Sequence, residues 1–471
     1  MNEEKDRFYR ESGIVEVVRR YEEMISNNTR YYFDVDEFEE IIDHYLNLAK
    51  FNRAFKAVQH ATIQHPSSTV IQLKKSIILN EKAQPHEALR ILKTIEKIEL
   101  NNPEVYFTKG ISLNLLGNTR DAIKQFNKAI LLTEDGKTDI MSNVAMAFEQ
   151  QNQFAAALRY LLQAYDLEPE NLSYIYDIAY CYERDDKLDK ALEYYNKFLD
   201  IDPFSENVWY NMGVVYNRME NFEKAIECYD YAIALDEEYS SAYFNKANTL
   251  ANSGDQLGAI EIYKELLYLE ENNEQVMCYI GECYEKIEKW DDAHKYYLKT
   301  LKINPDFADA WLGLGMVKFA RENYTESLDH VKKALNFSPD NSEYWYSLGN
   351  IYIKLNRLEE ATNAYRTAVE FDPQDFDSWI NLAETFRNLN NNDNAIKILE
   401  EASGINPGVA LFNYRLAAYH LMNKQSERAD HHLRIALSLD YDLHKEFFAY
   451  YPRASRLAAV KRLIIEFQQA N

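Results

Sequence analysis

The stretch WYSLGNIYIKLNRLEEATNAYRTAVEFDP, residues 345–373, contains the pattern that decides the fold of this chain. Its first half places Trp345, Leu348, Gly349 and Tyr352 at the i, i+3, i+4, i+7 spacing of one helix face. A helix is therefore predicted over residues 342–355, and Asn356 follows it in a predicted turn.

The second half of the stretch predicts another helix, over residues 358–370. Ala361, Tyr365 and Ala368 share one face of this helix, and Pro373 ends it. Two helices cross closely only where side chains are small, so Gly349 and Ala361 are predicted to form the contact between them. The stretch thus encodes one helical hairpin.

The same pattern recurs along the chain with a period of thirty-four residues. The positions in register with Trp345 are Met141, Ile175, Trp209, Tyr243, Met277, Trp311, Trp379 and Asn413. Four residues after each of these nine anchors comes a small one: Ala145, Ala179, Gly213, Ala247, Gly281, Gly315, Gly349, Ala383 and Ala417. Twelve units are predicted over residues 35–443, with one extra residue near 137 and less regular units at the front.

This pattern resembles the tetratricopeptide repeat, whose signature is W-x2-L-G-x2-Y followed by A, F, A and P. Residues 345–373 match that signature position by position, with Tyr365 in place of Phe. The resemblance implies an all-α, right-handed superhelical solenoid of tandem helix-turn-helix repeats. Residues 1–34 are expected to form an N-terminal capping helix and linker, and residues 444–471 a C-terminal capping helix; a helix on a membrane surface is the alternative for the latter.

Composition restricts the class of partner. The 471 residues contain 52 Lys and Arg against 76 Asp and Glu, a net charge of −24. A polyanion repels phosphate backbones, so nucleic acid is not expected as a partner. No apolar run is long enough to insert into a membrane, and the N-terminus lacks the pattern of a signal peptide. A cytoplasmic protein is expected.

The chain shows no motif of an enzyme. Phosphate-binding loops, nucleophile elbows and HExxH zinc motifs do not occur in it, and no cofactor is expected. Cys278 and Cys283 stand five apart on a predicted helix, which places them on different faces. His431 and His432 are neighbours whose side chains point apart, so they are interpreted as solvated rather than as metal ligands. No catalytic residue and no metal site are predicted.

The resemblance implies that the first helix of each unit lines a concave groove through its second, fifth, sixth and ninth positions. The sixth positions hold Asn143, Asp177, Asn211, Asn245, Tyr279, Gly313, Ser347 and Asn381. An Asn side chain offers a donor and an acceptor, and so can hold the backbone of an extended peptide. The pattern is similar to the asparagine ladder of the repeat superhelix of O-GlcNAc transferase, interrupted at three positions. Exposed helix positions that merely tolerate Asn are the alternative explanation.

The predicted peptide-binding residues combine these Asn positions with aromatic side chains, which are enriched at interfaces. They are Asn143, Tyr176, Asp177, Tyr210, Asn211, Phe244, Asn245, Asn248, Tyr346, Asn350 and Asn381. Packing of the aromatic rings between units is the alternative role for them.

The predicted function is a protein-interaction scaffold that holds an extended, basic or polar peptide segment. Acidic groove positions favour Lys or Arg on this segment. The carboxylate clamp of chaperone-binding relatives requires Lys at the fifth position, where this chain has none, so binding of an acidic chaperone tail is not expected. Two alternatives are a non-catalytic module that recruits substrates to a separate enzyme, and a self-assembling structural protein.

Overall fold

The structure is a computed structural model that describes the backbone of residues 2–470 and the side chains of residues 13–469. Within these residues it contains helices and turns and no strand. The chain divides into two compact units, Met1–Leu235 and Asp236–Asn471. The prediction of an all-α fold built from tandem helical hairpins is confirmed.

The first unit consists of thirteen helices. They are α1 (Asn2–Ser26), α2 (Val35–Asn47), α3 (Phe51–Gln64), α4 (Thr69–Glu81), α5 (Pro85–Ile95), α6 (Pro103–Leu115), α7 (Thr119–Leu132), α8 (Lys137–Glu149), α9 (Phe154–Leu167), α10 (Leu172–Arg184), α11 (Leu188–Ile201), α12 (Glu206–Arg218) and α13 (Phe222–Leu235).

The second unit continues the same alternation and ends with short elements. Its helices are α14 (Ser240–Ser253), α15 (Gln256–Leu269), α16 (Glu274–Lys286), α17 (Trp290–Ile303), α18 (Ala308–Ala320), α19 (Tyr324–Phe337), α20 (Ser342–Lys354), α21 (Leu358–Phe371), α22 (Phe376–Asn388), α23 (Asn392–Ile405), α24 (Ala410–Met422), α25 (Ser426–Leu439), α26 (His444–Tyr450), the 3-10 helix η1 (Pro452–Arg456) and α27 (Ala458–Ala470). In the described part of the chain, none of these helices has the length and apolarity needed to cross a bilayer.

The turn inside each hairpin depends on one residue in the left-handed region. Nine such residues follow the thirty-four-residue period, with φ between 55° and 96°: Asn152, Asp186, Glu220, Gly254, Glu288, Glu322, Asn356, Asn390 and Lys424. A left-handed residue ends one helix and redirects the chain into the next, which is why a two- to three-residue connection suffices. Several of these positions carry Glu or Lys, for which this conformation is strained.

The anchor tryptophans tie each hairpin to the turn before it. The indole nitrogens of Trp209, Trp311, Trp345 and Trp379 each donate to the carbonyl oxygen of the proline six residues earlier, at 2.7–3.1 Å. Each bond satisfies the only polar group of a large apolar side chain. These tryptophan–proline hydrogen bonds therefore recur in the same register as the sequence repeat.

Small residues in the first helices make room for aromatic rings from the second helices. A Cβ placed on Gly349 would lie 2.5 Å from the ring of Tyr365, and one placed on Gly213 would lie 2.5 Å from the ring of Tyr229. Sequence analysis predicted Ala361 as the contact of Gly349 and did not foresee the ring of Tyr365. The closest atoms to that position belong to Tyr365, whose ring is buried in the hairpin.

Both ends differ from the repeats. Helix α1 packs Val18, Tyr21 and Met24 into a core with α2 and α3. The segment after α25 folds as α26, η1 and α27 rather than as a single helix, and it buries Val460 and Leu463 of α27 against the last hairpin.

First helices of neighbouring hairpins also contact one another. In the first unit this holds for α2 with α4, α4 with α6 and α6 with α8, and in the second unit for α16 with α18. The resemblance to the tetratricopeptide repeat implies that these first helices line the inner side of the stack. We therefore call the second, fifth, sixth and ninth positions of the first helices the inner face.

Candidate peptide-binding face

The residues predicted to bind peptide lie on the first helices of both units. Asn143 on α8 is exposed, and the other ten are half-buried: Tyr176 and Asp177 on α10, Tyr210 and Asn211 on α12, Phe244, Asn245 and Asn248 on α14, Tyr346 and Asn350 on α20, and Asn381 on α22. Half-buried side chains are partly fixed by their neighbours and still reach solvent, which suits a binding surface.

Two of the asparagines are held by tyrosines of the preceding hairpin. Asn211 Nδ2 donates to Tyr176 Oη at 2.9 Å, and Asn381 Nδ2 donates to Tyr346 Oη at 3.3 Å. Each pair joins a sixth position to the fifth position one hairpin earlier. One amide hydrogen is used in this bond, so the second hydrogen and the carbonyl oxygen of each Asn stay available to a ligand.

The ninth-position asparagines are oriented from the second helices. Tyr263 Oη donates to Asn248 Oδ1, and Tyr365 Oη donates to Asn350 Oδ1 at 2.6 Å. Because the tyrosine uses the carbonyl oxygen as its acceptor, this bond leaves both amide hydrogens of each asparagine unused. Sequence analysis predicted these residues but not their orientation.

The three interruptions of the Asn pattern have physical causes in the second unit. The Tyr279 ring stacks on Tyr263, with centroids 5.9 Å apart and planes at 20°. Gly313 lies against the ring of Tyr297, which leaves no space for a Cβ. Ser347 is buried. Aromatic packing between hairpins therefore replaces a polar inner face at Tyr279 and Gly313, and burial withdraws Ser347 from it.

An open cleft of about 370 Å³ lies along the first helices α4, α6 and α8 of the first unit. Its floor is apolar, from Ile77, Phe107, Ile111 and Met146, and Asn143 stands at its edge. Met146 is 53% exposed. Sequence analysis missed this cleft because it lies among the less regular front units.

Two carboxylates of the first unit, Asp177 on α10 and Glu149 on α8, are partly removed from water. Burial, followed by the charge of Glu149, raises the pKa of Asp177 to about 6. Burial also raises the pKa of Glu149, whose Oε1 accepts a hydrogen bond from Cys181 Sγ at 3.2 Å. These two side chains make the region between α8 and α10 strongly acidic.

The second unit contains a similar group on α16 and α18. Burial is the largest cause that raises the pKa of Glu282 to about 7, and the charges of Asp309 and Glu285 add to it. Asp309 accepts a hydrogen bond from Tyr344 Oη, and Glu285 accepts one from Tyr297 Oη at 2.8 Å. Hydroxyl donors orient these carboxylates but do not neutralise them.

Two other ninth-position carboxylates have a cation from the next hairpin. Lys74 Nζ lies 2.9 Å from Asp43 Oδ1, and Arg415 Nη1 lies 3.7 Å from Glu384 Oε1. Lys74 and Arg415 both occupy the sixth position. At Glu282 the corresponding sixth position is Gly313, so that position of the next hairpin supplies no cation.

Helix α26 covers part of α22 and α24 in the second unit. Tyr450 of α26 donates from Oη to Glu384, and the Arg415 guanidinium lies 3.5 Å from the centre of the Tyr450 ring. Arg387 also pairs with Glu384, at 2.9 Å. The inner face of α22 and α24 is therefore occupied around Glu384.

The four cysteines are buried thiols. Burial raises the pKa of each, to about 11 for Cys283. Such thiols are protonated at neutral pH and so are poor nucleophiles. They act as small apolar residues of the hairpin cores.

The chain is similar in fold to several solved structures. A tetratricopeptide repeat protein from Parabacteroides merdae has 15% identity, with a TM-score of 0.45 over 53% of this chain and 100% of that one. The anaphase-promoting-complex hetero-tetramer Cut9–Hcn1 has 14% identity, with a TM-score of 0.41 over 82% and 90%. YrrB, described as having an unusual peptide-binding site, has 18% identity, with a TM-score of 0.31 over 39% and 95%. A search of curated protein sequences finds no match.

Family models match most of the region that shows the thirty-four-residue period. Residues 237–447 match the C-terminal domain of cilia and flagella-associated protein 70. Residues 145–206 and 206–239 match two models of the tetratricopeptide repeat. These matches agree with the hairpins α2–α25, their left-handed turns and their glycine–aromatic packing. The chain therefore belongs to the tetratricopeptide repeat proteins, with about twelve repeats.

Proposed function

We propose that this protein is a non-catalytic interaction scaffold that binds an extended peptide segment containing Lys or Arg on its inner face. The proposal rests on a comparison of three ninth-position carboxylates, Asp43, Glu282 and Glu384. Asp43 and Glu384 receive a cation from the following hairpin, whereas Glu282 meets Gly313 at that position.

The electrostatics around Glu282 favour a ligand cation. A carboxylate that is removed from water and surrounded by other carboxylates is stabilised when an ammonium or guanidinium group reaches it. Burial and then Asp309 raise the pKa of Glu282 to about 7, and the charge of Lys286 lowers it only in part. A Lys or Arg side chain of a bound segment would take the place that Lys74 takes beside Asp43.

The inner-face asparagines would bind the peptide backbone, and such contacts do not depend on the sequence of the ligand. Asn350 is fixed through its carbonyl oxygen by Tyr365, which leaves its amide hydrogens for a carbonyl group of a peptide backbone. A fixed side chain loses little conformational entropy on binding. Backbone contacts from Asn together with charge contacts from Glu282 favour extended basic segments of varied sequence.

Fluorescence anisotropy with two labelled peptides tests the proposal on the full chain. One peptide repeats Gly-Ser-Lys, and the other repeats Gly-Ser-Glu at the same length. We expect saturable binding of the Lys peptide alone, and a loss of affinity of about tenfold in the variant Glu282→Gln.

The matched control is Glu261→Gln, which removes a carboxylate that is exposed on the second helix α15. It changes the net charge by the same amount and should bind as the unaltered chain does. Equal binding of the two peptides, or equal weakening by both substitutions, would show that only the overall negative charge attracts the ligand.

A further inference from the structure

Three helices at the end of the second unit bring together three potential metal ligands. Glu400 lies on α23, His420 on α24 and His432 on α25. One nitrogen of each imidazole and one carboxylate oxygen of Glu400 lie within 4.8 Å of one another. The two rings are nearly parallel, with planes at 13° and centroids 5.4 Å apart.

Hydrogen bonds fix both imidazoles in the form that a metal ion requires. His420 Nδ1 lies 2.6 Å from Gln425 Oε1, and His432 Nδ1 lies 3.0 Å from Asn413 Oδ1. Amide oxygens only accept, so the proton of each ring sits on Nδ1 and the Nε2 lone pair is free. Outer partners of this kind orient histidine ligands in known metal sites.

The Nε2 atom of His420 is a buried polar atom without a hydrogen-bond partner among the described residues. The His420 side chain is only 1% exposed, so water does not satisfy this atom. Leaving such an atom unpaired costs roughly 1–3 kcal/mol. A metal ion coordinated by the lone pair of His420 Nε2 would remove this cost.

The residues involved also break the repeat pattern. His420 occupies the register position of Tyr352 and Phe386, and Asn413 that of Trp345 and Trp379. Two apolar core positions of one hairpin are thus replaced by a histidine ligand and by the residue that orients the other histidine. Packing alone favours the aromatic residues that the neighbouring hairpins have.

We propose that Glu400, His420 and His432 bind one divalent transition-metal ion, with Zn²⁺ as the best fit. Two imidazoles and one carboxylate form a donor set typical of zinc, and they leave one coordination position for water or for a ligand from outside. Donor atoms around a tetrahedral zinc ion lie about 3.3 Å apart. The exposed Glu400 side chain is free to rotate inward and close the remaining distance.

An ion bound here would join α23, α24 and α25. We therefore expect binding to stabilise the last hairpin in addition to filling the site.

The experiment uses the full chain, freed of metal with a chelator and titrated with ZnCl₂ by calorimetry. Saturation at one ion per chain is expected, together with a rise in the melting temperature. The variant Glu400→Gln should weaken binding by about tenfold or more, since it removes an anionic ligand. His420→Tyr restores the aromatic residue of the repeat register and should abolish both binding and the rise in melting temperature.

The matched controls are His431→Ala and Glu401→Gln, exposed neighbours that should leave zinc binding unchanged. Co²⁺ titration adds a spectroscopic readout, because tetrahedral coordination gives visible absorption that scattered surface binding does not. The proposal is overturned if the unaltered chain shows no saturable site. It is also overturned if Glu400→Gln binds as the unaltered chain does, a test that does not depend on how His420→Tyr folds.

Discussion

The ring of Tyr365 fills the space in which a side chain on Gly349 would stand, with 2.5 Å between the ring and an ideal Cβ. The glycine belongs to the first helix of a hairpin and the tyrosine to the second. The hydroxyl of the same ring donates to Asn350 at 2.6 Å. One tyrosine therefore determines both the approach of the two helices and the direction of an inner-face asparagine.

Gly349→Ala should destabilise the second unit. The ring of Tyr365 has to move, and overpacking of this kind costs about 1–3 kcal/mol. Urea denaturation followed by tryptophan fluorescence should show the loss, and hydrogen exchange should place it in α20 and α21. The control is Gly404→Ala, where no atom lies within 4 Å of the new Cβ. It should be neutral or stabilising by up to about 1 kcal/mol, and equal losses in both variants would contradict the packing account.

Glu282→Gln should raise stability in a pH-dependent way. The pKa of this carboxyl is about 7 in the folded protein, against an ordinary value of 4.5. Folding therefore disfavours the ionised form, so the penalty is complete above the folded pKa and vanishes below the ordinary value. We expect a gain on the order of 1–2 kcal/mol near pH 8 and none near pH 4.

Chemical denaturation at those two pH values measures the difference. Glu261→Gln, on the exposed side of α15, serves as the control and should be neutral at both. A gain that persists at the lower pH would assign the effect to packing rather than to charge.

Glu322→Gly should stabilise the hairpin of α18 and α19. Glu322 has φ of 61°, a conformation that costs a residue with a Cβ about 1 kcal/mol and costs glycine little. The comparison is Asn356→Gly at the corresponding turn, with φ of 56°. Asn tolerates this region, so its replacement should bring no gain. Thermal unfolding of the two variants tests the difference in sign.

Tyr450→Phe should loosen the end of the second unit. The substitution removes the hydrogen bond to Glu384 and keeps the ring beneath Arg415. A hydrogen bond to a charged group contributes about 1.5–3 kcal/mol, so faster hydrogen exchange is expected in α24 and α26. Tyr450→Ala also removes the cation–π contact and should have the larger effect. Unchanged hydrogen exchange in both variants would mean that the contacts of Tyr450 do not stabilise α24 and α26.

The repeat register carried most of the fold prediction. Trp345 and its counterparts gave the period, and the hairpins α2–α25 follow it. Sequence analysis paired Gly349 with Ala361 because both are small, and it did not identify Tyr365, the large side chain from the second helix that fills the space beside the glycine. Periodicity shows where space is left but not which ring enters it.

The candidate sites were less predictable for a different reason. Asn211 was predicted from its position in the repeat. Its hydrogen bond to Tyr176 could not be predicted, because the bond joins two successive hairpins and neither repeat contains it alone. His432 was compared with its neighbour His431, while the residue that faces it is His420, on another helix. The sequence could have indicated this site through a departure from the repeat. Asn413 and His420 stand where the two preceding repeats have aromatic residues.

On the proposed binding face, the location of Tyr450 limits the length of segment that the second unit can hold. Such a segment would have to stop before Glu384, because α26 already lies there. It would then extend along the first helices from α14 to α20. Inserting a further copy of residues 342–375 before Phe376 would lengthen this face by one hairpin and leave the contact between Tyr450 and Glu384 in place.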